Sequence, residues 1–259
     1  MGLLFLGNFK MGELYSIRNA ILLAAGSGTR LRPLTNEIPK CLVEVGNKGT
    51  ILINLLYALK EVGVENLVIV AGYKAVTLQN YVSKYNFSNL TGLNIIFVEN
   101  PDYEKNNSMF STSLGLDHIE GGTWIVESDI MIDSHALKTE KNSELLWFVD
   151  SSMRSIGGSV LTINKQSIVT AIRIERDTEK IRNDESKSVG IFRANAAGAK
   201  KLKNLLKTEI KEGNSNLYLD LIIAKHIHEI EVMSEDIKGK RWFEIDDAHD
   251  LEEAKSIFL

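Results

Sequence analysis

Apolar and polar positions follow one another along this chain in two different rhythms. In the first half, short unbroken apolar runs are separated by longer stretches with helical spacing. Ala20 to Ala25, Asn66 to Ala71, Leu93 to Val98 and Trp124 to Glu127 are the runs. Runs of that length suit strands buried on both faces, as in a parallel sheet. Between them, Thr50 to Val62 sets Ile51, Leu55 and Leu59, and Leu52 with Leu56, at steps of four, and Gly63 follows as a C-cap. That spacing predicts a helix with one apolar face. Lys74 to Tyr85 reads as a second helix, with Val76, Tyr81 and Val82 partly inward. Ser108 to Ile119 reads as a third, ended by Gly121 and Gly122.

In the second half the helices drop out. Leu145 to Val149, Gly158 to Ile163, Ile168 to Glu175 and Val189 to Arg193 read as strands with no helix between them. Ile168, Thr170, Ile172 and Ile174 alternate with Val169, Ala171 and Arg173, as in an antiparallel meander. The charged segment from Arg176 to Lys187 reads as a mobile loop. Ala196 to Lys211 is a basic amphipathic helix with Leu202, Leu205 and Leu206 inward, its lysines forming a solvated face. Leu217 to His228 is a further helix, Ile230 to Met233 and Arg241 to Ile245 are short strands, and Ala248 to Phe258 is the closing helix. The expected fold class is α/β: a doubly wound, mostly parallel central sheet extended by antiparallel strands. Ligands then belong at the carboxyl ends of the strands.

Composition narrows the setting. A net charge of −4 and a pI near 5.8 leave no basic footprint for nucleic acid. The single cysteine, Cys41, excludes an internal disulfide and fits a reducing cytoplasm. Met1 to Phe9 is apolar but too short to span a membrane, and residues 1–18 are expected to be an N-terminal extension.

The chemistry concentrates where the first strand ends. Gly26-Ser27-Gly28-Thr29 follows the apolar run, and Arg30, Arg32 and Lys40 add positive charge beside it. Glycines let a backbone approach a ligand, and loop amides facing one way form a nest for anions. Two glycines are also what a tight turn with solvated arginines needs. Leu31 stands where the dinucleotide fingerprint requires a third glycine, and the Gly-Lys-Ser/Thr of a P-loop is missing. Among carboxylates, Asp129 and Asp246 each follow an apolar strand. Each reads as a strand-end or helix-cap aspartate or as a ligand for a cation; Asp247 is the better cap for the last helix. Cys41 beside Leu42 and Val43 reads as a buried structural thiol, and His226 and His228, two apart, cannot share a helix face.

The string from Leu23 to Thr35, LAAGSGTRLRPLT, closed by Pro39-Lys40, resembles the signature of the nucleotidyltransferases that make CDP-alcohols and NDP-sugars. Asn100-Pro101-Asp102-Tyr103, followed by Asn106, Asn107 and Ser111, is similar to the small-alcohol branch, the phosphocholine and 2-aminoethylphosphonate cytidylyltransferases. The resemblance implies a GT-A-like nucleotide-binding fold over residues 19–259, with a nucleotide-binding half (19–135) and an acceptor-binding half (136–259). It implies transfer of CMP from CTP to a small phosphorylated alcohol, amine or phosphonate, with release of pyrophosphate. Such products are precursors of surface polysaccharides or phospholipid head groups. A sugar-1-phosphate nucleotidyltransferase and a non-catalytic nucleotide-binding regulator remain as alternatives.

By the same resemblance, Asp129 and Asp246, the latter in the string Glu244-Ile245-Asp246, hold Mg²⁺, and Arg30 and Lys40 complete the catalytic set. The nucleotide is expected along Leu23, Ala24, Ala25, Gly26, Ser27, Gly28, Thr29, Arg30 and Lys40, with the base near the backbone of Ala24, Ala25, Gly72 and Tyr73 and contacts from Asn107 and Ser111. Phosphocholine enzymes of this type offer aromatic side chains to the quaternary ammonium, and Arg154 to Ser159 offers none here. Tyr218 and Asp220 remain as an aromatic and anionic pair for the acceptor, or else as a core tyrosine and a solvated aspartate. A phosphomonoester near its second ionisation at neutral pH attacks without a general base, so no Ser/His/Asp set is needed.

Overall fold

The computed structural model describes residues 17–153 and 155–258; residues 1–16, most of the expected N-terminal extension, lie outside the described residues. Four strands, β1 (Asn19–Ala24), β2 (Asn66–Ala71), β3 (Asn94–Glu99) and β4 (Thr123–Glu127), run parallel in the order β3-β2-β1-β4. The apolar runs of β1, β2 and β4 are explained by cover on both faces, whereas β3, at the sheet edge, leaves Ile96 40% exposed. In β1, Ala20 and Leu22 pack into the core that holds α1 (Ile51–Glu61), while Ile21 between them packs into the opposite core with Met109 and Leu116. Those two residues come from α4 (Ser108–Leu116). Thr50 caps α1 by accepting a hydrogen bond from the Ile53 amide at 3.3 Å.

The second half adds antiparallel strands. β5 (Ile130–Ile132) lies outside the main sheet, and β6 (Leu145–Asp150) pairs with the long β9 (Glu185–Ala194). Along its other edge β9 meets β4 through Ile191–Ala194, and β7 (Gly158–Ile163) through Glu185–Lys187. The sheet therefore forks at residues 188–190. β8 (Val169–Glu175) pairs with β7, and β10 (Val232–Asp236) runs parallel to β6 at the far edge. α5 (Ala196–Lys211) and α6 (Leu219–Lys225) cover one face, and α7 (Ala248–Ile257) follows β11 (Trp242–Glu244). No helix among the described residues is long and apolar enough to cross a membrane.

Several expectations need correction. The second helix, α2 (Ala75–Lys84), buries Ala75, Leu78 and Val82, and this register turns Val76 outward, 68% exposed. A short helix, α3 (Phe87–Thr91), was not expected; it seats Phe87 against Tyr81, with ring centroids 5.9 Å apart. The antiparallel strands are not a consecutive meander, because β9 comes between β6 and β7. Arg176 to Lys187 is not a loop throughout. Its last three residues are strand, and Glu185 and Lys187 are buried there. Of the basic face of α5, Lys201 pairs with Glu144, and Lys203 and Lys207 pair with Asp117.

Gly198 in the first turn of α5 touches the chain entering β6. A Cβ there would sit 1.6 Å from the Glu144 carbonyl oxygen. Helix propensity alone predicts that Gly198→Ala stabilises by about 1 kcal/mol. The close approach predicts the reverse, a loss of about 3 kcal/mol from overpacking. A thermal melt should show Tm lower by roughly 6–12 °C, and a rise in Tm would contradict this packing.

Candidate active site

A cavity of about 850 Å³ opens where β1 and β4 end. Its floor is the loop predicted to bind anions. Gly28 takes φ +57°, a short 3₁₀ turn over Thr29–Leu31 follows, and Thr35 Oγ1 donates to the Gly28 carbonyl at 2.8 Å. Among the described residues, the amides of Gly26, Ser27 and Gly28 donate to no protein acceptor, so they are free for an anion.

Beside the loop, Lys40 joins two strand ends. Its ammonium donates to Asp129 Oδ2 at 2.9 Å and to Asp246 Oδ1 at 2.7 Å, and Arg30 Nη2 reaches Asp246 Oδ1 at 2.7 Å. Burial alone would pull Lys40 down, but the two aspartates outweigh it and hold its pKa above the ordinary lysine value. Asp246 responds oppositely: burial would raise it, yet Lys40 and Arg30 hold it below the usual carboxylate range.

A short antiparallel pair brings these distant residues together. β11 pairs with β5, with Glu244 opposite Ile130, and the Ile245 amide donates to the Asp129 carbonyl at 2.9 Å. Asp129 precedes β5 and Asp246 follows β11, so the ladder sets their side chains adjacent. The Trp242 indole anchors β11 by donating to Asp150 Oδ2 at 2.8 Å. Asp247 caps α7, and Asp250 accepts from the Asp246 and Asp247 amides, which leaves the Asp246 carboxylate to the cavity.

The other oxygen of Asp129, Oδ1, is buried without a hydrogen-bond partner. Asp129, Glu244 and Asp246 each offer an oxygen within 4.8 Å of the others. An orphaned carboxylate oxygen and two neighbours are a donor set for a hard divalent cation.

At the fork of the sheet lies a group the sequence reading did not find. Lys187 is 3% exposed and donates to Glu244 Oε2 at 2.7 Å and to the Ser188 carbonyl at 3.0 Å. Burial would lower its pKa, and Glu244 raises it above the ordinary value. Glu127 stands nearby, pushed well above the usual carboxylate range by burial, then by Asp129, Asp220 and Glu244. Gly190, at φ +74°, makes room for it: a Cβ there would lie 2.6 Å from Glu127 Oε2. The alternation of β9 would have exposed Lys187 as cavity-facing had its first residues been recognised as strand.

Leu23, Ala25, Gly26, Ser27, Gly28, Thr29, Arg30, Lys40, Asn107, Ser111, Asp129, Tyr218, Asp220 and Asp246 all line this one cavity. Ala24, Gly72 and Tyr73 do not. Ala24 is core, Gly72 packs against Tyr103, and Tyr73 turns away to donate its hydroxyl to the Thr35 and Asn36 carbonyls. Neither bland reading of Tyr218 and Asp220 fits: the tyrosine is 41% exposed and the aspartate is buried. Cys41 is buried with its thiol pushed up to about 12 by burial, and His226, which bridges Glu209 and Glu229, does not line the cavity.

The nucleotidyl transferase family model matches residues 19–144, the part of the chain that carries the glycine loop, Lys40 and Asp129. The chain belongs to the nucleotidyl transferase family. Among curated relatives, the 2-aminoethylphosphonate cytidylyltransferase of Lancefieldella rimae is 28% identical over 236 residues, 90% of each chain. The choline-phosphate cytidylyltransferase of Streptococcus pneumoniae is 25% identical over 92% of this chain and 97% of its own. The solved structure of CTP:phosphocholine cytidylyltransferase from Streptococcus pneumoniae shares the fold, with a TM-score of 0.74 at 24% identity over 94% of this chain and all of the other. The α/β sheet with a mostly parallel centre is thus the family's fold, and this chain is a nucleotidyltransferase.

Proposed function

We propose that this nucleotidyltransferase is a cytidylyltransferase: it transfers CMP from CTP to a small phosphorylated alcohol, amine or phosphonate and releases pyrophosphate. The observation that carries the reading is the Lys40 ammonium held between Asp129 and Asp246, next to the unspent amides of Gly26 to Gly28. Cytidylyltransferase relatives matched over nine-tenths of both chains support the base and the class of acceptor.

In this reading residues 19–135 bind the nucleotide and residues 136–259 the acceptor. The loop amides and Arg30 hold the triphosphate. Mg²⁺ suits the oxygens of Asp129 and Asp246, with Glu244 in reach, and when bound it supplies charge neutralisation at the α-phosphate. Lys40 fixes the two aspartates against each other and adds a cation beside the reacting phosphorus. Tyr218, Asp220 and Lys187 position the acceptor. Its phosphate or phosphonate oxygen is already ionised, so the protein's contribution is alignment for in-line attack and charge stabilisation, without a protein nucleophile. The reading sets the reaction in the cytoplasm.

A pyrophosphate-release screen tests it, with CTP, UTP, GTP, ATP and dTTP against phosphocholine, phosphoethanolamine, 2-aminoethylphosphonate and sugar 1-phosphates. Turnover is expected with CTP, Mg²⁺ and a non-sugar acceptor. Turnover with UTP or dTTP and a sugar phosphate, and none with CTP, would make the chain an NDP-sugar pyrophosphorylase. Tight nucleotide binding without turnover for any acceptor would make it a regulator.

A further inference from the structure

Helix α6 has seven residues and is tied down at both ends. Tyr218 and Asp220, at its start, line the cavity. There the Leu219 amide donates to Ser108 Oγ at 2.9 Å, and the Asn107 amide donates to the Ser215 carbonyl at 3.0 Å. The other end hangs on one carboxylate, Glu209 of α5, which is 1% exposed. Its Oε2 accepts from Asn214 Nδ2 at 2.7 Å and from Lys225 Nζ at 2.9 Å, and its Oε1 lies 2.6 Å from His226 Nε2. Burial would raise this carboxyl, but Lys225, His226 and Asn214 hold it down to about 2, so it is an anion near neutrality.

The second ring nitrogen of His226, Nδ1, lies 2.6 Å from Glu229 Oε1. A neutral imidazole has one N–H and one lone pair. It donates to one carboxylate and turns the lone pair on the other. Two carboxylates at this distance fit the imidazolium, which donates to both. The charges around the ring are Glu209 from α5, Glu229 from the turn that follows, and Lys225, which shares Glu209 and reaches Glu212 at 3.7 Å. Of the other elements packed on α6, α4 carries no charged residue. The charges of β8, Arg173 and Glu175, pair with each other, and Arg173 also pairs with Glu185.

We infer that the proton on His226 seats α6, and with it Tyr218 and Asp220, so that one wall of the cavity is fastened by a proton while the glycine loop is not. His226 is a positioning residue: it acts through Glu209 and Glu229 and does not itself line the cavity. That the seated wall serves the acceptor rests on the function proposed above; the clamp rests on its own geometry. The direction follows from the imidazole. Burial would lower it, and Glu229 and Glu209 raise it above its ordinary value of 6.5. The clamp is complete below that ordinary value and is lost as pH rises through the raised one. Lys225 then remains as the ionic tie to Glu209, so α6 loosens and opens more often without being released.

Amide hydrogen exchange on the free protein tests this, with protection corrected for the intrinsic effect of pH. Between about pH 6 and about pH 8.5, protection of the amides of residues 222–226 should fall by about tenfold to a hundredfold, the scale of losing one charge-assisted hydrogen bond. β1 amides should change by less than about threefold, because no group of the clamp touches that strand. His226→Gln should show low protection in this segment at both ends of the range. His228→Gln, two residues on, should keep the parental slope. Glu229 keeps 61% of its side chain in solvent, so Glu229→Gln folds whatever becomes of His226→Gln, and it should move the midpoint to lower pH. A parent whose α6 protection follows β1 across the range overturns the inference. So does a His226→Gln with the parental slope, a His228→Gln without it, or a Glu229→Gln with an unmoved midpoint. A failed pyrophosphate-release screen beside a proton-dependent α6 would leave the clamp standing and remove only the role of the wall that it seats.

Discussion

Asp246→Ala is expected to lower kcat by roughly two to four orders of magnitude, the scale of losing a strong electrostatic group at a reacting centre. Nucleotide affinity should hold or tighten. In the parent, Arg30 and Lys40 both spend contacts on Asp246 Oδ1. Truncation frees these cations for the triphosphate while removing a carboxylate from the proposed metal site. An effect on kcat without a matching rise in KM marks an interaction realised in the transition state. The fold should survive, because Asp250 still accepts from the amides of residue 246 and Asp247, and Asp247 still caps α7. Steady-state kinetics across a Mg²⁺ titration, beside thermal melts, make the measurement. Near-parental turnover at saturating Mg²⁺ with an intact melt would remove Asp246 from the metal set and point to Glu244.

Lys40→Ala should lose more, and differently. The ammonium is the shared partner of Asp129 and Asp246, and without it Arg30 alone among the described residues is ion-paired to either carboxylate. Breaking a buried pair costs about 3–5 kcal/mol. These aspartates keep about a fifth of their side-chain surface in solvent, so a loss of about 1–3 kcal/mol is expected once that screening is counted. Nucleotide affinity and kcat should both fall, each by at least about tenfold, since one cation serves binding and transition state alike. Added Mg²⁺ should then raise the melting temperature of Lys40→Ala more than that of the parent, because an ion stabilises the state that holds it. A variant whose melt ignores Mg²⁺ would show that these carboxylates do not gather a divalent ion.

Much of this could be read from the chain. The glycine loop, Asp129 and Asp246 each follow an apolar run, and the resemblance carried by Leu23 to Thr35 with Pro39-Lys40 then singled them out together with Lys40. Helix α1 and strand β2 declared themselves by spacing, as did α5. The contact that joins Asp129 to Asp246 did not, because β5 has three residues and carries no period long enough to recognise. Lys187 was hidden for another reason. Lysine in a charged segment reads as solvated, and its partner Glu244 lies 57 residues away, so nothing local shows that the charge is neutralised.

The lone thiol gives this protein a built-in reporter. Cys41 follows Lys40 in a short 3₁₀ turn, is 1% exposed, and is held protonated by its surroundings. A thiol reagent can reach it only when that turn opens, so the labelling rate reads the free energy of local opening beneath Lys40. Labelled with and without CTP, one sulfur atom would measure how tightly the nucleotide clamps the turn that carries Lys40, with no probe introduced into the chain.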